Sequence, residues 1–554
     1  MFTSHKPYLG MCLSLAGLLF VQTSLAEPSM VSKAPIYRPT TNCQLIQYIS
    51  TANANPGSQV DLGGLVFELT ETCDAQAVAC GFSPTICYAN DAHYAHGPTG
   101  LPEITGQVTI LSGRIIRAVG APAFRFFTVT TADDNTPGNL FLFKVTLENG
   151  DAEPAAAGVE TIDAPVEIEL PAPENSDAPA DVLPPSAEKN RAFLIGDSGN
   201  GGAVYVDTNS SLGMEASKIG FNFAYDSGGG VYVAVVAVLE ATNSIFSHNT
   251  AGANNMANLK AGGGGIYLAG SLSTLAFLIN STVSNNTTPG LGGGLNNQGF
   301  VQNIFDSTFS YNSTCVSVPG SGECGPGANP TGAGGGIYND VNATALIITQ
   351  STFWGNRSYL GGAIYNEEAT VLPPIPPEPA TGVLMNNNTI ANNFSQMNGG
   401  GIYNQPATSA IINQFVSNLV ASNTDFDGNQ APDIYNVAPA SITAPPLGPN
   451  PVTPIITEGF NLVGDCGTAH QCGLTNDVNK DIVGGSANVG ANIDPRLHRL
   501  KKNGGPTETV ALYPDSPAVN NGFNNLSLQY DQRGPDFFRT VGQTDIGAYE
   551  YQYD

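Results

Sequence analysis

Two short patterns of apolar and polar residues alternate along the middle of the chain. The first is a glycine pair or triplet, a small or branched apolar residue, and then usually Tyr and Asn, as in Gly335-Gly336-Ile337-Tyr338-Asn339. The second is an apolar residue followed three positions later by Asn. It occurs at Phe246 and Asn249, Val283 and Asn286, Phe309 and Asn312, Phe353 and Asn356, and Ile390 and Asn393. Alternating copies at loose intervals are typical of a solenoid whose loops vary in length.

The glycine pattern predicts strands and turns instead of helices. Its other copies stand at Gly201-Gly202-Ala203-Val204-Tyr205, Gly229-Gly230-Val231-Tyr232, Gly264-Gly265-Ile266-Tyr267, Gly361-Gly362-Ala363-Ile364-Tyr365-Asn366 and Gly400-Gly401-Ile402-Tyr403-Asn404, with a weaker copy at Gly293-Gly294-Leu295-Asn296. Branched and aromatic residues bounded by Gly and Asn favour short strands. With 64 Gly, 39 Pro and 12% charged residues, the chain lacks the composition of a helical solenoid. We therefore predict an all-β fold, a parallel β-helix.

In a parallel β-helix each coil pairs with the next, so matching side chains lie roughly 4.8 Å apart. We expect the repeated Asn residues to form amide ladders and the repeated Tyr or Phe residues to form aromatic stacks. Gly at a corner admits unusual backbone angles and a close approach of neighbouring coils. The recurring residues are thus predicted to build the scaffold, and a binding site is expected in the loops that vary.

The repeats resemble a known group. Phe353 to Asn356, followed by Gly361-Gly362-Ala363-Ile364, resembles the repeat of the polymorphic outer-membrane proteins. This resemblance implies a single-stranded right-handed parallel β-helix exposed on a bacterial surface. At the N-terminus, Cys43-Gln44-Leu45-Ile46-Gln47-Tyr48-Ile49 resembles a diverged CSLREAI segment, and Leu101-Pro102-Glu103-Ile104-Thr105-Gly106 continues that pattern.

A further resemblance covers the C-terminal part, where six short phrases follow in order. They are Gly459-Phe460-Asn461-Leu462-Val463-Gly464, Asp494-Pro495-Arg496-Leu497, Asn503-Gly504-Gly505-Pro506-Thr507, Asp515-Ser516-Pro517-Ala518-Val519, Asp531-Gln532-Arg533-Gly534 and Asp545-Ile546-Gly547-Ala548-Tyr549-Glu550. The series is similar to the choice-of-anchor Q segment of bacterial secreted β-helix proteins. Together these resemblances imply a fold and a location, but no reaction.

The N-terminus is typical of an exported protein. Lys6 precedes an apolar run over residues 9–21, and Ser24-Leu25-Ala26 offers small residues for a signal peptidase. We predict a signal peptide over residues 1–26. The apolar run is too short to span a bilayer, and the mature chain is expected to have no membrane span. Export places the protein outside the cell or on its surface, with the periplasm as an alternative.

We divide the mature chain into three parts. Residues 27–110 are expected to form a disulfide-rich cap over the first coil, which would otherwise present unpaired backbone groups. Residues 111–436 are predicted to form the solenoid. Residues 151–188, rich in Ala, Pro, Asp and Glu and without aromatic residues, indicate a disordered acidic insertion. The dense Gly, Pro and Asp turns of residues 437–554 predict an irregular segment that closes the other end.

Eight cysteines remain in the predicted mature chain, an even number that suits disulfides in an oxidising compartment. Cys315 with Cys324, and Cys466 with Cys472, are close enough in sequence to close small loops. A set of four near the N-terminus would make two more bridges of undetermined connectivity: Cys43, Cys73, Cys80 and Cys87. A metal site is the rival interpretation, but no C-x-x-C pair occurs among them.

The mature chain carries a formal charge of −28. Nucleic acids and anionic lipids are held largely by Lys and Arg, so this charge argues against both as partners. We predict no cofactor apart from a candidate Ca²⁺ ion. Asp425, Asp427 and Asn429 alternate across a short loop and could supply hard oxygen ligands, although an ordinary Asx-rich turn is the simpler interpretation.

Catalytic candidates are few. Asp340 and Glu367 each lie two residues after a repeated tyrosine, so they are expected at matching positions on adjacent coils. Carboxylates roughly 4.8 Å apart would be near the separation found in retaining glycosidases. Solvated acids also commonly follow a strand, and Arg357 is the one basic residue near this part of the repeat. We therefore favour a structural role for the pair.

Two functional classes follow. The evenness of the repeats favours a surface-associated or secreted protein that binds a glycan or a cell surface in an adhesin-like way. The alternative is a carbohydrate-active enzyme, a polysaccharide lyase or glycoside hydrolase on the same scaffold, with Asp340 and Glu367 as its candidates. The fold alone does not distinguish them, because β-helices serve both.

Overall fold

The computed structural model describes residues 34–88, 97–131, 136–152, 199–252, 261–270, 274–314, 332–343, 345–367, 382–405, 412–426, 431–437, 455–467, 472–486 and 488–552. Within these ranges the chain is mostly β-structure. The helical elements there are the α-helices Asn42–Asn53 and Cys73–Ala79 and the 3-10 turn Pro84–Cys87. The prediction of an all-β architecture with parallel strands is confirmed.

One series of strands stacks in parallel to form what we call sheet 1. They are Ile36–Tyr37, Ser58–Asp61, Gln107–Arg117, Asn139–Glu148, Ser211–Glu215, Val238–Thr242, Leu275–Ile279, Phe300–Phe305, Ala345–Thr349, Gly382–Asn386, Ile412–Val416 and Ile455–Gly459. Their side chains alternate between the interior and the outer face, as a strand requires.

A second stack, sheet 2, follows sheet 1 in most coils. Its strands are Val66–Leu69, Lys218–Gly220, Ile245–Ser247, Thr282–Ser284, Thr308–Ser310, Thr352–Trp354, Thr389–Ala391, Leu419–Ala421, Leu462–Val463 and Ile482–Val483. Gln107–Arg117 and Asn139–Glu148 are long enough to take part in both sheets.

Sheet 3 contains the tyrosines of the glycine pattern. Its strands are Phe127–Val129, Val204–Val206, Val231–Val233, Ile266–Leu268, Leu295–Asn297, Ile337–Asn339, Ile364–Asn366, Ile402–Asn404 and Ile434–Asn436. Short strands form sheet 4: Asp151–Ala152, Phe223–Ala224, Thr250–Ala251, Arg357–Ser358, Phe394–Ser395 and Thr424–Asp425. Single-residue bridges at Thr287 and Ser313 link its two halves.

One coil visits the sheets in a fixed order. The chain passes through Ala345–Thr349 in sheet 1, Thr352–Trp354 in sheet 2, Arg357–Ser358 in sheet 4 and Ile364–Asn366 in sheet 3 before it re-enters sheet 1 at Gly382–Asn386. Inward side chains from sheets 1, 2 and 3 form one continuous apolar cluster along the stack. This arrangement is that of a parallel solenoid, in which each coil buries its apolar face against its neighbours.

A Gly-Gly-Gly or Gly-Gly-Ala triplet, called the glycine triplet below, makes the sharp turn before seven of the nine described strands of sheet 3. Its first residue has a positive φ, for example +70° at Gly292, which glycine adopts without strain. Its middle residue lies against the following coil. A Cβ added at Gly293 would be 2.4 Å from the carbonyl oxygen of Gly335 and 2.6 Å from the amide nitrogen of Ser313. A side chain at Gly293 would therefore clash with the following coil, whereas before the first strand of sheet 3 the matching position is occupied by Arg125.

The last coil of sheet 3 lacks the glycines. Ala431, Pro432 and Asp433 stand where earlier coils have the triplet, and they lead into Ile434–Asn436, the final strand of that sheet. Because the described residues place no further strand of sheet 3 against this turn, Pro432 can replace the middle glycine. The sequence pattern did not identify this coil, since the signal that we used was the glycine itself.

Parallel pairing extends past the predicted solenoid range of 111–436. It begins where Ile36–Tyr37 pairs with Ser58–Asp61, and it continues to Ile482–Val483. The N-terminal part holds the bridges Cys43–Cys80 and Cys73–Cys87, and Cys466–Cys472 closes a small loop near the other end. Cys315, Cys324, residues 1–33 and most of the acidic insertion lie outside the described residues.

The C-terminal segment, residues 488–552, has little regular structure and runs back along sheet 2. Gln532 donates to the carbonyl oxygen of Ser307 at 3.0 Å and accepts from the hydroxyl of Thr352 at 2.5 Å. Farther along the stack, the amide of Ala548 donates to the Thr389 hydroxyl at 2.9 Å. The segment therefore covers the side of several coils, whereas the sequence had suggested that it closes the end.

Candidate functional site

A buried asparagine ladder follows the corner between sheets 2 and 4. Each Nδ2 donates to the Oδ1 of the next coil at 2.8–3.0 Å. Its members are Asn222, Asn249, Asn286, Asn312, Asn356, Asn393 and Asn423. The predicted amide ladder is therefore present, and it extends by one coil at each end beyond the five copies that the sequence pattern identified.

A carboxylate terminates this ladder. Asp433 Oδ1 accepts from both the side-chain and the backbone nitrogen of Asn423, at 2.9 and 3.0 Å, and its Oδ2 accepts from the amide of Asp465. Because every amide in the ladder points the same way, the donor end of the series faces this acid. Burial raises the pKa of Asp433 to about 7, although its hydrogen bonds favour the charged form.

A second ladder at the corner between sheets 1 and 2 ends in the same way. It begins with serines and continues with asparagines: Ser217, Ser244, Ser281, Ser307, Ser351, Asn388, Asn418 and Asn461. Asn461 Nδ2 then donates to Asp481 Oδ1 at 2.9 Å. We missed this ladder in the sequence, where a small polar residue two positions before each apolar residue of the second pattern would have indicated it.

Tyrosines stack on the outer side of sheet 3. Ring centroids lie 5.0–5.4 Å apart along Tyr205, Tyr232 and Tyr267, and again along Tyr338, Tyr365, Tyr403 and Tyr435. On the inner side of the same strands, Asn297, Asn339, Asn366, Asn404 and Asn436 form a third amide ladder. The expected aromatic stack and this third amide ladder therefore lie on opposite faces of sheet 3.

The candidate carboxylates lie at matching positions on adjacent coils. Asn339 pairs in register with Asn366, and Asp340 and Glu367 follow them directly. Asp340 is fully buried, and its Oδ1 accepts from the backbone and side-chain nitrogens of Asn342, both at 2.8 Å. The register that the sequence predicted for this pair is therefore observed.

The hydrogen bonds of Glu367 belong to the scaffold. Its carboxylate accepts from the hydroxyl of Tyr338 and from the amide of Val341. One coil later, Gln405 occupies the same position and accepts from the hydroxyl of Tyr365. Since a neutral amide replaces the acid in the next repeat, the position serves to hold the tyrosine stack. Burial, together with the nearby Glu367 charge, raises the pKa of Tyr338, so this phenol remains protonated.

The candidate Ca²⁺ loop is described only at its first residue. Asp425 ends a short strand of sheet 4 and is mostly buried, whereas Asp427 and Asn429 lie outside the described residues. In the part of the chain that the structure covers, His, Cys, Asp and Glu side chains do not gather into a metal-binding group of three or more. Among the same residues, no helix has the length and apolar character needed to cross a membrane.

The outer face of sheet 1 carries partly exposed apolar side chains on successive coils. Val238, Leu275 and Phe300 lie in register along one row. Phe277, from the same strand as Leu275, lies on a neighbouring row that also contains Phe141, which is 38% exposed. Amide side chains lie on the same sheet: Asn303 is in register with Phe277 on the following coil, Gln302 precedes Asn303, and Gln414 is on a later strand. The sequence did not identify this face, since its residues do not repeat from coil to coil.

Comparisons of the chain with protein families, with curated proteins and with solved structures found no match.

Proposed function

We propose that the protein is an exported, surface-associated rod that binds glycans on a cell surface in an adhesin-like way. In this proposal the coils close into a single-stranded right-handed parallel β-helix, as in the polymorphic outer-membrane repeat that the sequence resembles. The predicted signal peptide supports export, as do the disulfides, which form and persist in oxidising compartments.

The outer face of sheet 1 is the observation that carries the proposal. Phe277 and Phe300 offer ring surfaces there, and Gln302 and Asn303 offer amide donors and acceptors beside them. Exposed apolar surface bordered by polar groups commonly marks an interaction site. Apolar sugar faces and hydroxyl groups would be matched by these two kinds of side chain, and a stack of coils provides them over a length suited to an extended polymer.

The carboxylate pair supports the enzymatic alternative less than the outer face of sheet 1 supports glycan binding. Asp340 and Glu367 already accept hydrogen bonds from Asn342, Tyr338 and Val341. A general acid or nucleophile must instead direct its carboxyl group toward the substrate. We therefore propose binding without turnover as the main activity.

Glycan-array binding by the full-length exported protein tests this function. Phe277→Gln should weaken glycan binding about tenfold, because it removes a ring from the face. Ile245→Gln is the matched control, since Ile245 is 41% exposed on the outer side of sheet 2. Equal binding by the wild type and Phe277→Gln would contradict the assignment of this face. Turnover of a polysaccharide that is abolished by Glu367→Gln or Asp340→Asn would favour the enzyme.

A further inference from the structure

The C-terminal segment carries a run of basic residues that reverses the local charge of this acidic chain. Four of the 19 Lys and Arg residues lie within seven positions: Arg496, Arg499, Lys501 and Lys502. Elsewhere in the sequence no stretch of seven residues holds more than two. Because the formal net charge of the chain is −27, the protein does not need this concentration of cations for solubility.

The run lies on an antiparallel ribbon formed by residues 496–501 and 509–513. Bridges join Leu497 to Leu512 and Lys501 to Thr509, and Lys501 and Thr509 exchange two backbone hydrogen bonds, at 3.0 and 3.2 Å. Leu512 and Thr509 are buried, so the ribbon is held in place by its inner side chains. At about 3.3 Å per extended residue, the cations from position 499 to position 502 lie within roughly 10 Å of one another.

Most of these cations have no acidic partner. Arg499, Lys501 and Lys502 are exposed, and none of them forms an ion pair with the residues that the structure describes. The fourth cation, Arg496, pairs with Asp515. Surface charges are screened over about 8 Å at physiological salt, so the acids of distant coils do little to cancel this local charge.

A pair of rings borders the cations. The rings of His498 and Tyr513 stack with their centroids 3.8 Å apart, and Tyr513 is 44% exposed. His498 directly precedes Arg499. We call Arg499, Lys501, Lys502 and this ring pair the basic patch. It combines positive charge with ring surface, and a ligand that matches both has negative groups and flat apolar faces.

The number of cations favours a polymer of low charge density. Duplex DNA carries one negative charge per 1.7 Å or so of its axis, and most of it would face the acidic remainder of the protein. Anionic lipid surfaces are typically held by clusters of about four to eight Lys and Arg residues, more than the unpaired cations of this patch. An acidic polysaccharide has at most a few charges over the same length. Its carboxylate groups match the guanidinium of Arg499, which can bind them through two parallel hydrogen bonds.

We propose that the basic patch binds an acidic polysaccharide. The carboxylate groups pair with Arg499, Lys501 and Lys502, and sugar rings lie against the exposed ring of Tyr513. The proposal rests on the glycan-binding function above for its choice of a sugar polymer. It adds a second surface, on the C-terminal segment, and a class of ligand.

Calorimetric titration of the full-length protein with alginate oligosaccharides tests this surface, with the same oligosaccharides reduced at their carboxyl groups as the neutral probe. The wild type should bind the acidic form more tightly, and its affinity should fall as NaCl is added. The double variant Lys501→Gln/Lys502→Gln should bind it about tenfold more weakly. Arg38→Gln/Arg114→Gln is the matched control, since it removes two cations that are 70% and 51% exposed elsewhere and should bind as the wild type does. Unchanged thermal unfolding shows that the variants fold.

Several outcomes would overturn the basic patch. They are equal affinity for the acidic and reduced oligosaccharides, unchanged binding by Lys501→Gln/Lys502→Gln, or the same loss in both double variants, which would reflect net charge alone. Tighter binding of duplex DNA than of the acidic oligosaccharides would also contradict it. So would self-association of the wild type that the Lys501→Gln/Lys502→Gln variant loses, without oligosaccharide binding.

The glycan array separates this failure from that of the wider function. If Phe277→Gln weakens array binding while Lys501→Gln/Lys502→Gln binds alginate as the wild type does, the outer face of sheet 1 remains and the basic patch is wrong. If only the lysine variant loses binding, the basic patch remains and the assignment of the outer face is wrong.

Discussion

A single asparagine in a ladder satisfies hydrogen bonds in three coils. Asn356 Nδ2 donates to Asn393 Oδ1 and to the carbonyl oxygen of Phe309, both at 2.9 Å. Its Oδ1 accepts from the backbone and side-chain nitrogens of Asn312, at 3.1 and 2.9 Å. No other uncharged side chain of this length has an acceptor and two donors in this planar arrangement. The repeated Asn is thus fixed by hydrogen-bond geometry.

Asn356→Asp tests this role with almost no change in shape. The substitution removes both donors and buries a carboxylate against the carbonyl oxygen of Phe309, so we expect the free energy of unfolding to fall by about 3 kcal/mol. Denaturant unfolding measures the loss. Asn392→Asp is the control, because Asn392 is exposed and also has a positive φ, which Asp tolerates. Equal stability of the two variants would mean that the ladder contributes little to the free energy of unfolding.

At the scale of the element, the glycine triplet and the strand after it act as one unit. The first glycine supplies the positive φ of the turn, and the second allows the next coil to approach. Sheet 3 can then place Tyr outside and Asn inside, as it does in Ile337–Asn339, Ile364–Asn366, Ile402–Asn404 and Ile434–Asn436. Glycine loses more conformational entropy on folding than other residues do. Its presence in every inner coil is therefore explained by the close contact with the next coil.

Gly293→Ala should destabilise the protein by about 2–3 kcal/mol, because the new methyl group would clash with backbone atoms of the following coil. The φ of Gly293 is not in the left-handed region, so the effect is steric. Pro432→Ala, at the equivalent turn of the last coil, should change the stability by less than about 1 kcal/mol. Thermal unfolding of the two variants compares them. A similar melting temperature for both would show that the second glycine is not required for stacking.

Much of this element could be predicted from the sequence because its signals are local. The spacing of Tyr338 and Tyr365 was enough to place Asp340 beside Glu367 in register. The hydrogen bonds of Glu367 were not predictable, since they depend on which way its side chain turns between coils. The docking of the C-terminal segment was not predictable either, because Ser307 and Gln532 are far apart in sequence and meet only in the folded chain.

At the scale of the whole molecule, stacking and docking bury acids for which the described residues show no salt bridge. Burial raises the pKa of Asp306 to about 8 and that of Asp433 to about 7. Both values exceed the usual value near 4 of an unfolded chain, so the folded state holds protons that the unfolded state releases. The contribution of these groups to stability is therefore complete below about pH 4 and is lost as the pH rises toward 8.

We expect the free energy of unfolding to be lower at pH 8.5 than at pH 5, by up to a few kcal/mol. Denaturant unfolding at both pH values measures the difference. Asp306→Asn removes one of the two acids and should make the difference smaller. A protein that is equally stable, or more stable, at pH 8.5 would contradict the raised pKa values.

The docked C-terminal segment also restricts how the length of this molecule can evolve. It touches successive coils from Ser307 to Ser417, so an added coil between those positions would shift its contacts out of alignment. Coils before Ser307, such as those with Val238–Thr242 and Leu275–Ile279, contact mainly their immediate neighbours. Duplication or deletion of a whole coil is thus tolerated best in that first half. Natural variants of different length should therefore differ in the number of coils before Ser307. The number of coils that the C-terminal segment contacts should stay the same.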